Sequence, residues 1–559
     1  MIINIKEKYG WKIYKHREIS LWFNGYLTGY SDPSEIIFEQ INTLDDKMCS
    51  IDFLSKWIEN LHGHFAFVVK VSDDWCFVAA DKICSIPLFI KLYDGNYYVS
   101  NYAPYLKSIS GVDGDIDLDL DVALEISMSG FALGGSTLYK DINRLSAGEC
   151  LLFSKNEIHK TFYYEYVPQE LSFYKYEKLK ENLTKVLLST LQKTIDSVNN
   201  RQIVVPLSAG NDSRLVASGL KKLGYKNVVC FSYGRSGNYE VETSKKVCEI
   251  LGYKWIYIQD EFKKKRNFFL SDVYEKYVNT FESYASVPNI QDIYEVYELK
   301  KMAVIDDDAV IVNGNSGDFI SGGHIPVGVN LDEDVSLSKN FNWTYFLEKH
   351  YSLWGKLRTR LNNNLISLKL SEIASKRCKN KSNKYTMYSV MECMECIGRQ
   401  SRLVSNQQRS YEFFGHEWRL PLWDEELLDF WEGVPIRYKI KQKLYKEVLN
   451  DNDWGGVWST IPINKKIIRP YSIWILRLFV KIIVSPFGRR NWHKLEKKIF
   501  VYWMHPSYAR AVVSYFDVLF DNREQRNTNS WTADQFVNKK GLKNVMNVSN
   551  LIKNKYNDF

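Results

Sequence analysis

Apolar residues follow two different patterns along this chain, and the change lies near residue 170. Before it, short apolar runs separated by polar turns predict β-strands at 65–69, 75–80, 88–90 and 97–99. The Asp94-Gly95 pair between the last two runs is typical of a hairpin turn. After it, apolar runs of strand length alternate with helical repeats, which predicts strand–helix units and a parallel sheet.

The two patterns predict a mixed α/β fold in three parts. We expect an antiparallel, β-rich layered domain in residues 1–168 and a doubly wound parallel-sheet domain with many helices in residues 169–470. Residues 471–559 are predicted to form a helical C-terminal extension. The 559 residues, 45% of them hydrophobic and 25% charged, suffice for several packed cores and exclude a disordered chain.

The apolar run at 203–207 is the most informative strand because of the loop and helix that come after it. Small and polar residues occupy 208–213, and Leu215, Val216 and Leu220 then recur at helical spacing. A strand, loop and helix in this order turn backbone N–H groups and a helix N-terminus toward an anion. The loop lacks the Gly-Lys-Ser/Thr ending of a Walker loop, and an ordinary capped turn is the alternative.

Side chains of this loop suit a phosphate that carries a metal ion. Ser208 and Ser213 offer hydroxyl donors, and Asp212 offers a carboxylate of the kind that Mg²⁺ prefers. Ala209 and Gly210 are small enough for phosphate oxygens to approach the backbone. A second predicted strand at 227–234 carries Tyr233 near its end, so Ser208 and Tyr233 are expected to converge on one nucleotide.

Two loops resemble those of a known family. The loop at 208–213 resembles the SGGxDS pyrophosphate loop of the ATP pyrophosphatase superfamily, and the stretch at 313–323, after a strand at 309–312, is similar to the second loop of asparagine synthetases. The resemblance implies that Asn313 and Gly314 lie near the nucleotide. It also implies that Asp318 is the second Mg²⁺ carboxylate, paired with Asp212.

The N-terminal part resembles the amidotransferase domain of the same family, at 63–67, 80–89 and 137–148. In that family an N-terminal cysteine supplies both the thiolate and the α-amine base for glutamine hydrolysis. Here Ile2 stands at position 2 and the first cysteine is Cys49. We therefore expect a degenerate amidotransferase-like domain without glutaminase activity.

Two later segments also resemble asparagine synthetases. Glu417 and Arg419 match the family's VEARxPFLD segment, and Lys465 or Lys466 occupies roughly the place of a catalytic lysine. A lysine there stabilises charge on acyl and phosphate oxygens. For Glu417 an active-site role and a bracing Glu–Arg pair both stay open.

The resemblance implies an asparagine synthase-like, AMP-forming C–N ligase that uses ATP and Mg²⁺. A carboxylate is activated as acyl-AMP with release of pyrophosphate, and ammonia or an amine then takes the acyl group. The expected catalytic residues are Lys465, Lys466 and Glu417, and the expected metal ligands are Asp212 and Asp318. The expected ATP and pyrophosphate contacts are Leu207, Ser208, Ala209, Gly210, Asn211, Asp212, Ser213, Tyr233, Asn313 and Gly314.

Three departures from the family keep other functions open. Ala209 replaces a glycine, Asn315 stands where asparagine synthetases have an acid, and Phe319 replaces the acid after the metal ligand. A non-catalytic nucleotide-binding or scaffold protein is one alternative. The other is a sulfur-transferring pyrophosphatase relative, which would use Cys393 or Cys396. Two buried helical cysteines are the favoured interpretation of that pair.

Charge and composition limit the classes of ligand and the cellular location that we expect. A net charge of +8 mildly favours anionic ligands and gives no reason to expect nucleic acid. Nine scattered cysteines, no signal-peptide pattern and no apolar run of about 20 residues lead us to expect a cytoplasmic location. The alternating carboxylates at 115–121 are predicted to form the solvated face of a strand.

The C-terminal extension begins with an amphipathic stretch. Arg477 and Lys481 lie one helical turn apart within 474–484. We expect a helix that docks on the synthetase-like domain, with weak contact of 472–484 with a membrane surface as the alternative. A homodimer also stays open.

Overall fold

The structure is a computed structural model that describes most of the chain. The described residues are 1–44, 50–109, 118–154, 157–171, 174–326, 334–335, 341–378, 385–462, 471–504 and 512–557. Within these ranges, no helix combines the length and the apolar character needed to cross a membrane. The mixed α/β fold predicted from the sequence is confirmed.

The N-terminal part contains two facing sheets. Their strands are β1 (Ile2–Asn4), β2 (Lys12–His16), β3 (Ile19–Leu27), β4 (Gly63–Ser72), β5 (Trp75–Ala80), β6 (Phe89–Tyr93), β7 (Asn96–Ser100), β8 (Ile142–Arg144), β9 (Glu149–Ser154) and β10 (Glu157–Phe162). One sheet has the order β1-β7-β6-β8 and the other the order β10-β9-β5-β4-β3-β2. All pairings are antiparallel except that of β1 with β7.

Strand β4 shows why these sheets stack in layers. Phe65 and Phe67 point into a core that includes helices α1 (Pro33–Asn42) and α2 (Ile51–Glu59). Ala66 and Val68, one residue along, point into the core between the two sheets. Because side chains alternate across a strand, a continuous apolar run covers both faces.

The second part is built on a five-stranded parallel sheet. Its strands are β11 (Ile203–Pro206), β12 (Val228–Gly234), β13 (Lys254–Gln259), β14 (Val310–Val312) and β17 (Glu417–Arg419). Between β14 and β17 the chain forms a separate two-stranded ribbon of β15 (Asp334–Val335) and β16 (Tyr385–Thr386). Their order is β13-β12-β11-β14-β17. The chain therefore moves outward in one direction from β11 and later returns to add β14 on the other side.

Helices surround both sheets and form the C-terminal part. After α1 and α2 they are α3 (Ala103–Ser108), α4 (Leu120–Ser129), α5 (Tyr176–Ser197), α6 (Asn211–Lys222), α7 (Tyr239–Leu251), α8 (Phe262–Phe269), α9 (Asp272–Thr280), α10 (Ile293–Met302), α11 (Gly317–Ile320), α12 (Thr344–His350), α13 (Arg360–Arg377), α14 (Met387–Glu395), α15 (Gln408–Phe413), α16 (Glu425–Gly433), α17 (Ile436–Lys439), α18 (Lys443–Asn452), α19 (Val457–Thr460), α20 (Tyr471–Val484), α21 (Arg489–Ile499), α22 (Val501–Met504), α23 (Tyr515–Phe520), α24 (Thr528–Val537) and α25 (Val545–Asn557).

The acidic stretch at 115–121 does not form the predicted strand face where the structure describes it. Asp119 is the N-cap of α4, and its carboxylate accepts the N–H groups of Asp121 and Val122 at 3.0 and 3.3 Å. Asp121 pairs with Lys555 of the last helix at 2.8 Å. Asp119 and Asp121 therefore begin a helix instead of continuing a strand. The alternation of acidic and apolar residues did not indicate this, because it does not show which carboxylate caps a helix. Asp115 and Asp117 lie outside the described residues.

The expected docking of residues 471–484 on the synthetase-like domain is also wrong. These residues form α20, but none of its side chains is buried. The main packing partners of the helix are α21 and the short turn between them.

A buried lysine ties three segments together behind the parallel sheet. The ammonium of Lys439 is fully buried and donates to Glu392 at 2.7 Å and to the hydroxyl of Tyr166 at 3.3 Å. Burial lowers the pKa of Lys439 and raises that of Glu392, while each partner's charge opposes the shift. The pair thus holds α14, α17 and the segment that leaves the N-terminal part.

We expect Lys439→Met to destabilise this part of the protein by about 3–5 kcal/mol, because it leaves the Glu392 carboxylate buried without its cation. Urea unfolding followed by fluorescence measures the loss. The control is Lys446→Met, which removes a partly exposed ammonium bonded to the carbonyl of Lys441 and should cost less than about 0.5 kcal/mol. Equal losses in the two variants would contradict the bracing role of Lys439.

Candidate active site

The two predicted loops meet because their strands are neighbours. β11 pairs with β14 in parallel register, with Ile203 opposite Val310 and Val204 opposite Ile311. β12 lies on the other side of β11, so the strand order reverses at β11 and β14. A crevice at the carboxyl ends of strands is expected at such a reversal. A cavity of about 420 Å³ lies there.

The loop after β11 is held by hydroxyl groups. The Ser213 hydroxyl, on the first turn of α6, accepts the N–H of Ser208 at 3.0 Å and lies 3.0 Å from its hydroxyl. The Ser208 hydroxyl accepts the N–H of Gly210 at 3.2 Å. Both serines line the cavity. The loop therefore bends so that the N-terminus of α6 and two hydroxyls face the same space, which suits an anion.

Asp212 is partly buried beside groups of the second loop and α18. Its carboxylate accepts the Tyr445 hydroxyl at 2.9 Å and a backbone N–H bond from Asp318. Burial, reinforced by the charge of Asp318, raises the pKa of Asp212 to about 7. The two predicted metal ligands thus lie beside each other at the cavity, although about a hundred positions separate them in the sequence.

Two glycines allow the second loop to come close to Asp212. A Cβ on Gly314 would lie 2.6 Å from the carbonyl carbon of Asp212, and a Cβ on Gly317 would lie 2.5 Å from its Cγ. Both distances are shorter than any real contact between such atoms. These two glycines of the second loop are therefore required by the short distance between the loops.

Asp318 has a cationic neighbour. Nε2 of His324 donates to its carboxylate at 3.1 Å, and Nδ1 of the same ring contacts Glu395. Burial would lower the pKa of His324, but these two carboxylates raise it to about 9. Burial would likewise raise the pKa of Asp318, but the bond from His324 holds it below its ordinary value. Asp318 therefore stays ionised, with half of its side chain exposed toward the cavity.

The pair of carboxylates fits a divalent cation shared with a ligand. Within the part of the chain that the structure describes, no group of three or more acidic, histidine or cysteine side chains could hold a metal by itself. Mg²⁺ commonly takes one or two carboxylates and completes its shell with phosphate oxygens and water. Asp212 and Asp318, which both line the cavity beside the loop at 208–213, match that arrangement.

Tyr233 forms the opposite wall of the cavity. Its hydroxyl donates to Asp292 at 2.7 Å, and Asp292 also accepts the Tyr411 hydroxyl at 2.7 Å and the Gln407 amide at 2.5 Å. Asp292 is almost fully buried. Tyr233 is thus fixed by a network of polar side chains from the start of α10, from the turn before α15 and from α15 itself.

The predicted contacts divide into two groups. Eight of the ten predicted nucleotide contacts line the cavity, as does the second metal-ligand candidate, Asp318: Leu207, Ser208, Gly210, Asp212, Ser213, Tyr233, Asn313 and Gly314. Ala209 and Asn211 belong to the loop but face inward, because the Ala209 carbonyl accepts a bond from buried Arg214 and Asn211 is itself buried. Lys465 and Lys466 lie outside the described residues.

Family models match both parts of the chain. Residues 187–451 match the model described as asparagine synthase, and this stretch contains both loops and both aspartates. Residues 50–164 match the model described as a glutamine amidotransferase domain. The chain belongs to the asparagine synthetase family. The resemblance drawn from the two loops is confirmed.

Two curated relatives are similar to parts of this family member. A 7-cyano-7-deazaguanine synthase of Methanocaldococcus jannaschii is 31% identical over 142 residues, which cover 24% of this chain and 59% of that protein. A probable glutamine-hydrolysing asparagine synthetase of Acanthamoeba polyphaga mimivirus is 35% identical over 100 residues, which cover 17% and 18%. Each match spans less than two thirds of the relative's own length.

A solved structure is similar over a larger share of the chain but only loosely. Glutamine phosphoribosylpyrophosphate amidotransferase from B. subtilis, complexed with ADP and GMP, matches 54% of this chain and 63% of its own at 11% identity. The TM-score is 0.17, so this likeness supports no conclusion about fold or function.

Two departures from the asparagine synthetase pattern have structural explanations. Phe319 is fully buried, with its ring 6.0 Å from that of Trp423, so it extends the core next to Asp318. Asn315 remains at the cavity, where its amide donates to Gln407 at 2.8 Å. Asn313 donates to Gln408 at 3.0 Å and accepts the N–H of Asn315, so it shapes the loop.

The cysteines described by the structure are poor nucleophiles. Cys393 and Cys396 are buried and do not line the cavity, and burial raises the pKa of Cys396 well above its ordinary value. In the amidotransferase-like part, burial raises the pKa of Cys84 and takes that of Cys150 to about 12. Cys49 lies outside the described residues.

Several cavity residues were not predicted from the sequence. They lie at 287–292, before and at the start of α10, and at 399–407, in a π-helix (Cys396–Val404) and the turn after it. Arg399 is the single lysine or arginine among the described residues that line the cavity. The π-helix widens the turn, and such bulges often mark functional sites, but no periodicity in the sequence indicated it.

Glu417 does not lie at this cavity, which corrects its predicted catalytic role. It is opposite Val310 at the start of β14, so it occupies the edge of the sheet away from the loops. Its carboxylate accepts two bonds from Arg201 at 2.9 Å and one from Arg419 at 3.1 Å. The Arg419 guanidinium also lies 4.0 Å from the ring centre of Tyr26. The bracing interpretation is therefore the one that the structure supports.

We expect Glu417→Gln to lower stability at neutral pH by no more than about 1 kcal/mol, since the pair is half exposed. Burial alone would raise the pKa of Glu417, but Arg201 and Arg419 lower it to about 2. The contribution is therefore complete above the ordinary glutamate pKa of 4.5 and is lost as pH falls toward 2. Urea unfolding at neutral pH and at about pH 3 should show the difference between wild type and variant shrinking in acid.

The matched control is Glu372→Gln, which breaks an exposed pair with Lys376 at 2.7 Å and should leave stability within about 0.5 kcal/mol. Nucleotide turnover should stay within about twofold of wild type in both variants. A selective collapse of turnover in Glu417→Gln, with stability retained, would restore the catalytic role.

Proposed function

We propose that this chain is an ATP-dependent, AMP-forming ligase that activates a carboxylate as an acyl adenylate and passes it to ammonia or an amine. The observation that carries the proposal is the approach of Asp212 and Asp318 at the reversal of strand order, beside a loop with anion-binding geometry. Membership of the asparagine synthetase family supports the same chemistry.

In this proposal the first loop binds the pyrophosphate portion of ATP. The hydroxyls of Ser208 and Ser213 and the N-terminus of α6 face the negative oxygens. The purine side would lie toward Tyr233, at the carboxyl end of the neighbouring strand. The cavity volume of about 420 Å³ falls in the range typical of small-molecule sites.

Asp212 and Asp318 would hold Mg²⁺, which neutralises charge that develops on the departing pyrophosphate. Tyr445 orients the Asp212 carboxylate, and His324 orients that of Asp318. The Phe319 N–H also donates to the Asp318 carboxylate, at 2.8 Å, so both carboxylates would keep a fixed direction before ATP arrives. Preorganised ligands of this kind avoid reorganisation during the reaction.

Arg399 is suited to the acceptor carboxylate. It lies at the cavity, and its nearest carboxylate, Glu395, is 3.7 Å away and shared with His324 and His350. Such a loosely held guanidinium can bind a carboxylate with two parallel bonds. The acceptor oxygen would then attack the α-phosphorus and release pyrophosphate, and the amine would attack the acyl carbon and release AMP.

Lys465 and Lys466 remain the proposed source of positive charge at the reacting phosphate. The described segment that precedes them is anchored beside the first loop. Arg214 donates to the carbonyl groups of Val457 and Ile461, and the Tyr239 hydroxyl donates to that of Pro462.

The nitrogen is proposed to come from ammonia or a free amine. The buried, weakly acidic thiols of the described N-terminal cysteines do not suit glutamine hydrolysis. The amidotransferase-like part would then serve as a structural partner of the ligase part, joined to it through the Tyr26–Arg419 contact.

The test is isotope exchange between ATP and pyrophosphate across a panel of carboxylates. We expect Mg²⁺-dependent exchange with at least one acceptor, and a loss of about a hundredfold or more in Asp212→Asn and in Asp318→Asn. The control is Glu242→Gln, an exposed carboxylate on the first turn of α7 outside the cavity, which should change exchange by less than about twofold.

The alternatives give different results in the same assay. Full exchange in a Cys393→Ala, Cys396→Ala double variant would exclude sulfur transfer through these thiols. Binding of ATP without exchange in the presence of any carboxylate would favour a non-catalytic scaffold and contradict the ligase proposal.

A further inference from the structure

Helix α20 presents apolar side chains to solvent on nearly every side. Among the described residues none of its side chains is buried. Phe479 is 62% exposed, Ile482 63% and Ile483 67%. A helix that is apolar all round normally lies in a protein core or in a lipid environment. Exposed apolar surface of this extent marks an interaction site.

The exposed helix is one arm of a helical hairpin. A turn at Ser485–Phe487 comes after it, with Phe487 72% exposed, and α21 then packs back against it. Arg477 joins the arms, because its guanidinium donates to Glu496 at 2.6 Å and lies 5.3 Å from the ring centre of Trp492. The hairpin thus has its own internal contacts while its apolar side stays outward.

The hairpin is strongly basic as well as apolar. Residues 471–500 contain seven lysines and arginines against one glutamate, a net charge of +6, whereas the whole chain carries +8. Lys481 on α20 and Lys497 and Lys498 on α21 are exposed. A large part of the net charge of the protein is therefore concentrated beside this exposed apolar helix.

We infer that the hairpin Tyr471–Ile499 binds the surface of an anionic lipid bilayer and lies in its interfacial region. The 14 residues of α20 extend about 21 Å, shorter than the hydrocarbon core of about 30 Å. The helix can therefore lie in the interfacial region, but it is too short to span the hydrocarbon core. Trp474 and Tyr471 are exposed on the same helix, and such side chains favour the headgroup level. Basic residues beside an apolar helix are attracted to anionic headgroups.

The charge of the hairpin distinguishes between two partners for its apolar surface, a lipid bilayer and a second copy of this chain. Two copies meeting through this hairpin would bring two surfaces of +6 together. Like charges at this density oppose association, whereas anionic headgroups complement them. The inference is independent of the chemistry proposed for the cavity, because none of the hairpin residues lines it.

The experiment is sedimentation of the full-length protein with vesicles of phosphatidylcholine, with or without roughly a third of phosphatidylglycerol. We expect at least about tenfold stronger binding to the anionic vesicles, weakened by salt. The triple variant Phe479→Ser, Ile482→Ser, Ile483→Ser should lower that binding by at least about tenfold, because it removes most of the apolar area that the lipid would cover.

The matched control is Leu270→Ser, which removes an apolar side chain that is 73% exposed elsewhere, at the end of α8, and should bind as wild type does. A second variant, Lys481→Gln, Lys497→Gln, Lys498→Gln, should lose binding to anionic vesicles by at least about tenfold and leave binding to neutral vesicles unchanged. Circular dichroism of each variant checks that the fold is retained.

Three results would overturn the inference. One is the absence of binding of the wild-type protein to anionic vesicles. Another is equal binding of wild type and the triple apolar variant. The third is a wild-type oligomer that the triple variant converts to monomer without any vesicle binding, which would assign the face to contacts between copies of this chain.

Discussion

The parallel pairing of β11 with β14 is the interaction on which the rest of this structure depends. Only two residue pairs define it, Ile203 with Val310 and Val204 with Ile311. The chain makes two strands and several helices before it returns to this place. Because the two strands end at the same edge of the sheet, their loops must face each other, and each loop carries one aspartate.

The close approach of these loops also sets the electrostatics of the site. Gly314 and Gly317 let the second loop come within contact distance of Asp212, so that two carboxylates lie at the same cavity. The protein offsets one of them with His324 and leaves the other with a raised pKa of about 7. A divalent cation that binds together with a phosphate would relieve the repulsion between these two carboxylates, whereas a phosphate alone would add to it.

The sequence predicted those parts of the structure whose signal lies in one short stretch. Continuous apolar runs indicated β4, β5 and β11, since strands buried on both faces have no polar alternation. The Asp94-Gly95 pair marked the β6–β7 hairpin correctly. Ser208 and Asp212, predicted from the strand, loop and helix at 203–220, and Asp318, predicted through the family resemblance, line the same cavity.

Features that depend on packing at long range could not be predicted in this way. Asp292 and Gln407 reach the cavity because helices far apart in sequence pack on the sheet, and Glu417 leaves it because β17 begins at the opposite edge. The division of the chain at residues 168 and 470 stays a prediction. Helix α20 has the composition of a docked helix, yet none of its side chains is buried.

The most direct test of the account is a crystal structure of the protein with Mg²⁺ and a non-hydrolysable ATP analogue. We expect one metal ion within about 2.1 Å of oxygens from both Asp212 and Asp318, with the triphosphate along the loop at 208–213. A nucleotide bound elsewhere, or a metal ion that contacts neither aspartate, would contradict the central claim.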